Sequence, residues 1–266
     1  MSGRVTLADL PLELSEYIMS LAAHTWAIDD KPSVASLSRT SRAVHALVQP
    51  VLVDTVIMTP YNLSRIRAAA VSFRSTRRLI IDRLYAEKSA DYTACARSFP
   101  ALEMFSGTMG ALLVLLSVSK PTRVVLTDRI ATLDHLLGHP GLSNITHIRA
   151  TITPFVSAET LGLNWSSLPF SHLMLDVKVE RPAHVRALFV TRIIPKLLTL
   201  PKLERLCFRP FPEADELCSD LEAYACDAEE TRLYMTMEKC GLTAYDPRTM
   251  FDDAHWLVGK PLFTRD

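Results

Sequence analysis

After Leu10-Pro11, the residues Leu14, Ile18 and Leu21 recur at helical spacing, which places one apolar stripe on a helix predicted to start at Pro11. Proline suits that position because its missing N–H would have had no partner there, and Glu13 in the first turn complements the helix dipole. Val34, Leu37, Ser41, Val44 and Leu47 mark a second amphipathic stretch, opened by Pro32-Ser33 and closed by Pro50. It leads into the β-prone run Val51 to Met58.

Beyond residue 58 a different register takes over. Its clearest copy is Leu200-x-x-Leu203-x-x-Leu206-x-Phe208, and Leu142, Ile145, Ile148 and Ala150 repeat the spacing. Weaker copies align as Phe73, Thr76, Leu79, Ile81, as Phe99, Leu102, Phe105, Gly107, as Val118, Pro121, Val124, Leu126, and as Ser167, Phe170, Leu173, Leu175. Successive third positions stand 19 to 33 residues apart. Between the predicted strands, Asp128 to Gly138 reads as a short helix with a capping Asp, and Ala183 to Leu198 as a longer one broken or kinked near Pro195. Strand alternating with helix predicts a parallel sheet of β-α units. From Glu213 to Glu230 the chain is acidic and carries Leu217, Leu221 and Tyr224 at helical spacing, an amphipathic helix that would cap the repeats. A short strand, Arg232 to Met237, and a tail with Trp256 complete it.

The combination L-P-x-E-L-x-x-x-I, then S-L-S-R-T-S-R-A-V-H-A-L-V-Q-P-V-L, resembles the F-box, in particular the F-box proteins of mushroom-forming fungi, over roughly residues 8 to 57. Leu10, Pro11, Leu14, Ile18, Leu37 and Leu47 match the family pattern, while Thr40, Val44 and Val53 stand where the family carries more apolar or bulkier residues. The resemblance implies a helical module that binds the Skp adaptor of a cullin-RING ubiquitin ligase, with the rest of the chain selecting the target. The L-x-x-L-x-x-L-x-L register resembles a leucine-rich repeat that has lost regularity, since regular copies recur every ~20–29 residues and carry an asparagine after the strand. The expected fold is therefore α/β: an N-terminal helical module (1–58), an irregular leucine-rich-repeat-like β-α solenoid (59–210) and an acidic capping segment (211–266).

If that register holds, strand alternation puts the residue before each inward pair on the opposite, exposed face. Those residues are Arg78, Met104, Arg123, His147, His172 and Arg205, joined on the same side by Arg149 and Arg209. Apart from Met104 all are basic or can become so, and such a ladder suits an acidic or phosphorylated segment of a target. The acidic helix around Glu213 to Glu230 is a second candidate to lie against it.

Composition narrows the alternatives. Lys plus Arg and Asp plus Glu are balanced at 29 each, so no global field favours nucleic acid or an anionic membrane. The apolar run Ala111 to Val118 is far short of the ~18 residues that span a bilayer, and five cysteines without a C-x-x-C pair read as reduced thiols. A soluble protein of cytoplasm or nucleus is expected. Phosphate-loop, dinucleotide and nucleophile-elbow signatures are absent from the sequence. His135 and His139 are separated from helical geometry by Gly138 and Pro140, and Cys207, Cys218, Cys226 and Cys240 lack zinc-site spacing. The run Arg65, Arg67, Arg74, Arg77, Arg78 reads as a solvated helix face. Neither cofactor nor metal is expected, and no catalysis by the chain itself. Two functions stay open, a target-recognition subunit of a ubiquitin ligase and a leucine-rich-repeat-like interaction scaffold without ligase association, with an enzyme of unknown class far behind.

Overall fold

The computed structural model describes residues 10–27, 29–81, 94–130, 140–152, 168–178, 183–211, 215–236 and 250–265. Helix α1 (Leu12–Trp26) begins one residue later than expected, with Pro11 as its N-cap and the Pro11 carbonyl accepting from Leu14 and Ser15 N–H. The second amphipathic stretch divides into α2 (Lys31–Leu37) and α3 (Arg42–Asp54). The Asp30 side chain caps α2 and the Ser41 hydroxyl accepts from Val44 N–H at 3.2 Å to cap α3, so two polar residues start two helices within one apolar period. Pro50 does not close α3 but sits inside it. The Ala46 carbonyl that loses its donor there is on an exposed stretch, open to solvent. Ala23, Ala27, Val34, Val44, Val48 and Val51 form the core of this helical module.

Helix α3 runs without a turn into β1 (Thr55–Met58), and its last carbonyls find donors from elsewhere in the chain. Lys31 Nζ donates to the Leu52 and Thr55 carbonyls, Thr76 Oγ1 donates to the Val53 carbonyl at 2.7 Å, and Arg77 N–H donates to the Asp54 carbonyl at 3.0 Å. Burial pushes the Lys31 amine down to about 8, against the pull of Asp54. These bonds tie the helices to the first strands of the sheet.

The chain continues through α4 (Pro60–Ala68), β2 (Arg78–Ile81), β3 (Met104–Gly107), α5 (Met109–Leu115), β4 (Arg123–Ile130), β5 (His147–Ile152) and β6 (His172–Val177). Then come α6 (Ala183–Leu188), a π turn (Phe189–Ile193), α7 (Ile194–Leu198), β7 (Arg205–Pro210), α8 (Asp215–Asp227), β8 (Leu233–Met235), α9 (Asp253–Trp256) and β9 (Lys260–Pro261). The nine strands form one sheet in sequence order, parallel except for the last pair. Cross-strand register runs Leu79, Phe105, Val124, Ile148, Leu173, Leu206, the third positions of the sequence copies. The carbonyls of Arg77, Glu103, Thr122, Thr146 and Ser171 each accept from two successive N–H groups leading into the next strand, so the same cross-strand pair of hydrogen bonds opens β3 to β7.

One face of the sheet carries that register and is covered by helices. Ile66, Leu112, Leu142, Ile193, Leu197, Leu217 and Leu221 pack with Leu79, Phe105, Ile148 and Phe208 in the main core. The Ala183–Leu198 stretch stays helical through Pro195 because the π turn supplies the accommodation: Ile194 N–H reaches back five residues to the Phe189 carbonyl. The helix expected from Asp128 is not formed at its start, since β4 extends to Ile130 and residues 131–139 lie outside the described set. Asp128 caps a different helix: its carboxylate accepts from Met109 N–H at 3.0 Å, at the start of α5.

Candidate functional site

Two surfaces carry the sequence candidates. The first is α1. Its inward face is made of small residues, Ser15 and Ala23 with Met19 beside them, and small side chains let the neighbouring helices approach closely. The larger apolar residues are turned to solvent: Leu14 is 50% exposed, Tyr17 66%, Ile18 42% and Leu21 55%. Two apolar stripes therefore share this helix, and the bulkier one has no covering among the described residues. Leu10, Leu37 and Leu47 are half-buried, and Pro11 is exposed. Of the residues where the family pattern is not met, Val44 and Val53 are buried, and exposed Thr40 donates its hydroxyl to the Leu37 carbonyl.

The second surface is the sheet face opposite the helices. Arg78, Met104, Arg123, His147, His172 and Arg205 stand in one cross-strand row, as the register requires. Their expected exposure is corrected by the structure. All six are only half-exposed, while Arg149 and Arg209 are buried at 1% and 4%. The covering is the segment from Met250 to Gly259, which contains α9. Met250, Phe251 and Trp256 pack on Ile80, Val125, Met174 and Cys207. Arg123 donates to the Phe251 carbonyl at 3.0 Å and pairs with Asp253. Arg205 donates to the Leu257 carbonyl at 2.9 Å and the Val258 carbonyl at 2.7 Å, with its guanidinium 3.4 Å over the Tyr234 ring.

The acidic helix is not the occupant. Leu217, Leu221 and Ala225 of α8 belong to the main core on the other side of the sheet. There Asp220 accepts from Arg186 Nε at 2.6 Å and Glu216 pairs with the same guanidinium. Its apolar stripe decided its side, because burying that stripe outweighs the attraction of half-exposed charges.

Repulsion along the basic row is relieved in three ways. Arg78 lies 3.8 Å from Asp54 and Arg123 pairs with Asp253. The two histidines stack, with ring centroids 4.4 Å apart, and Trp256 meets His147 edge-on at 5.2 Å. Burial, then the neighbouring His172 and Arg123, push His147 down to about 4, and burial is also the main cause lowering His172. Both rings are therefore neutral at pH 7. The Thr146 hydroxyl donates to the Thr122 carbonyl, so it accepts from His147 Nδ1 at 2.9 Å. Ser171 does the same for His172 Nδ1, at 3.0 Å.

Deeper on this face, Asp176 is buried at 1% between two guanidiniums. Its Oδ2 accepts from Arg149 Nε at 3.0 Å and Nη2 at 2.9 Å, and Arg209 Nε lies 3.6 Å from Oδ1. Arg149 Nη1 donates to His255 Nε2 at 3.2 Å, and burial together with Arg149 and Arg209 pushes that imidazole down to about 4. Asp176, Asp253 and His255 were not singled out by sequence reasoning. Asp176 had a signal, because the register pairs it directly with Arg209 across β6 and β7. Asp253 and His255 had none, being separated from Arg123 and Arg149 by more than 100 residues.

Chemically the face offers donors, apolar floor and neutral imidazoles. Burial raises the Cys207 thiol to about 11, which leaves it un-ionised. Among the described residues no group of His, Cys, Asp and Glu could hold a metal ion, and no helix is long and apolar enough to cross a membrane. His135, His139 and Cys240 lie outside the described residues. No protein-family model matches the chain, and a comparison with curated proteins finds no match either.

Proposed function

We propose that this chain is the target-recognition subunit of a cullin-RING ubiquitin ligase, with α1 docking on the Skp adaptor and the sheet holding the protein to be modified, and with no catalysis of its own. The observation that carries the reading is the uncovered stripe Leu14, Tyr17, Ile18, Leu21 on a helix whose other face is already buried. Exposed apolar surface of this kind marks a protein contact, and the sequence around it resembles the F-box. Leu10, Pro11, Leu37 and Leu47 complete the adaptor-contacting set by that resemblance. The sheet is read as leucine-rich-repeat-like because its strands follow sequence order, share one register and open with the same cross-strand pair of hydrogen bonds.

Titration of the purified Skp adaptor onto the full chain tests the proposal, with Leu14→Ala/Ile18→Ala as the comparison. Truncating interface anchors typically costs ~2 kcal/mol or more, which weakens binding roughly thirty-fold. Both residues stand outside the module's core, so melting should be unchanged. Equal binding by the two proteins would refute the assignment of α1, and no binding by the intact chain would leave the scaffold without ligase association in its place.

A further inference from the structure

We infer that the sheet face carrying Arg123, His147, His172 and Arg205 is a peptide-binding site for a segment with an aromatic residue, an acidic residue two positions later and a second aromatic three beyond that, and that Phe251, Asp253 and Trp256 of the chain itself are its intramolecular occupant. The inference rests on reading the sheet as the target-holding part, and not on adaptor docking.

The occupant defines the ligand. Arg123 takes a main-chain carbonyl and a carboxylate from it, and Arg205 takes two more carbonyls. Carbonyl recognition is independent of sequence, so specificity falls to the carboxylate and to the rings. Trp256 lies edge-on to His147 and, with Phe251, fills the floor of Val125, Met174 and Cys207. A purely acidic or phosphorylated segment would leave that apolar floor wet.

The occupant is also imperfectly held. Arg205 Nε beneath the segment and the segment's own Trp256 Nε1 are buried without hydrogen-bond partners among the described residues, a cost that the contact carries. Asp253 is 79% exposed, so its ion pair with Arg123 adds little. The segment joins the sheet through the short strand β9, paired at Tyr234–Pro261 and Met235–Lys260 and extended by Leu262 N–H donating to the Leu233 carbonyl at 2.9 Å. A partner that satisfied Arg205 Nε would displace it.

The test uses a fluorescein-labelled synthetic peptide of residues 250–259 and fluorescence anisotropy with two full-length proteins, the natural chain and Asp253→Ala/Trp256→Ala. The loosened variant should bind the peptide at least tenfold more tightly, because in the natural chain the tethered copy competes at high effective concentration. Adding Arg123→Glu should abolish binding. A variant with native-like circular dichroism that ignores the peptide, or that binds a scrambled peptide equally, overturns the inference. Hydrogen exchange on the natural chain covers a variant that fails to fold. Excess peptide should speed exchange in its own 250–261 amides, and exchange unaffected by millimolar peptide overturns the inference. Adaptor binding measured alongside separates the two ideas, since peptide binding without adaptor binding overturns only the ligase assignment.

Discussion

Asp176→Ala is the most informative single substitution on the covered face. The carboxylate is buried at 1%, takes two hydrogen bonds from Arg149 at 2.9 and 3.0 Å, and lies 3.6 Å from Arg209, itself 4% exposed. Removing it leaves two buried guanidiniums without their shared counter-charge. Breaking such a buried pair by deleting one partner costs about 3–5 kcal/mol. At about 2–4 °C per kcal/mol for a chain near this size, the melting temperature should fall by roughly 6–20 °C. Differential scanning calorimetry reads this directly. The triple substitution Arg149→Met/Asp176→Leu/Arg209→Met should recover most of the loss, because it removes the desolvation cost of all three charges together. Melting of Asp176→Ala within ~2 °C of the natural chain, about 1 kcal/mol, would refute the view that these guanidiniums depend on Asp176.

Two further outcomes follow from the covering segment. His147 and His255 are each pushed to about 4 in the folded chain against an ordinary 6.5; between those values the unfolded chain binds more protons, so the stability they contribute is full above pH 6.5 and is lost as pH falls toward 4. Urea midpoints of the natural chain should fall more steeply from pH 7 to 5 than those of His147→Asn/His255→Gln, and parallel slopes would contradict the assignment. Gly259 has φ +98°, and a Cβ there would stand 2.9 Å from the Met235 carbonyl oxygen. Gly259→Ala should therefore cost about 1–3 kcal/mol and open Trp256 to iodide quenching; unchanged quenching would show that the segment does not depend on this turn.

The α1 stripe shows how a correct period leaves a side undecided. Leu14, Ile18 and Leu21 share a helix face, as their spacing requires, yet the module buries the adjacent face of Ser15, Met19 and Ala23. Periodicity reports that a face is apolar. It does not say whether the face is covered by this chain or by another. The second helical stretch looks like one element for a similar reason: Ser41 fits an apolar period and also caps a helix, and only the hydrogen bond from Val44 N–H separates the roles.

By itself the sequence determined the period of the strands and which residues share a register, from Leu79 through Leu206, because the pleat is local and each copy repeats its spacing. It also determined that Arg78, Arg123, His147, His172 and Arg205 would form one row. Tertiary structure alone decided what lies over that row. The segment carrying Phe251, Asp253 and Trp256 reaches Arg123 from 130 residues away in sequence, and its claim on that face over α8's is settled by where each buries its apolar side chains. Such a choice depends on the whole surface presented by distant strands, and no local window of the chain contains it.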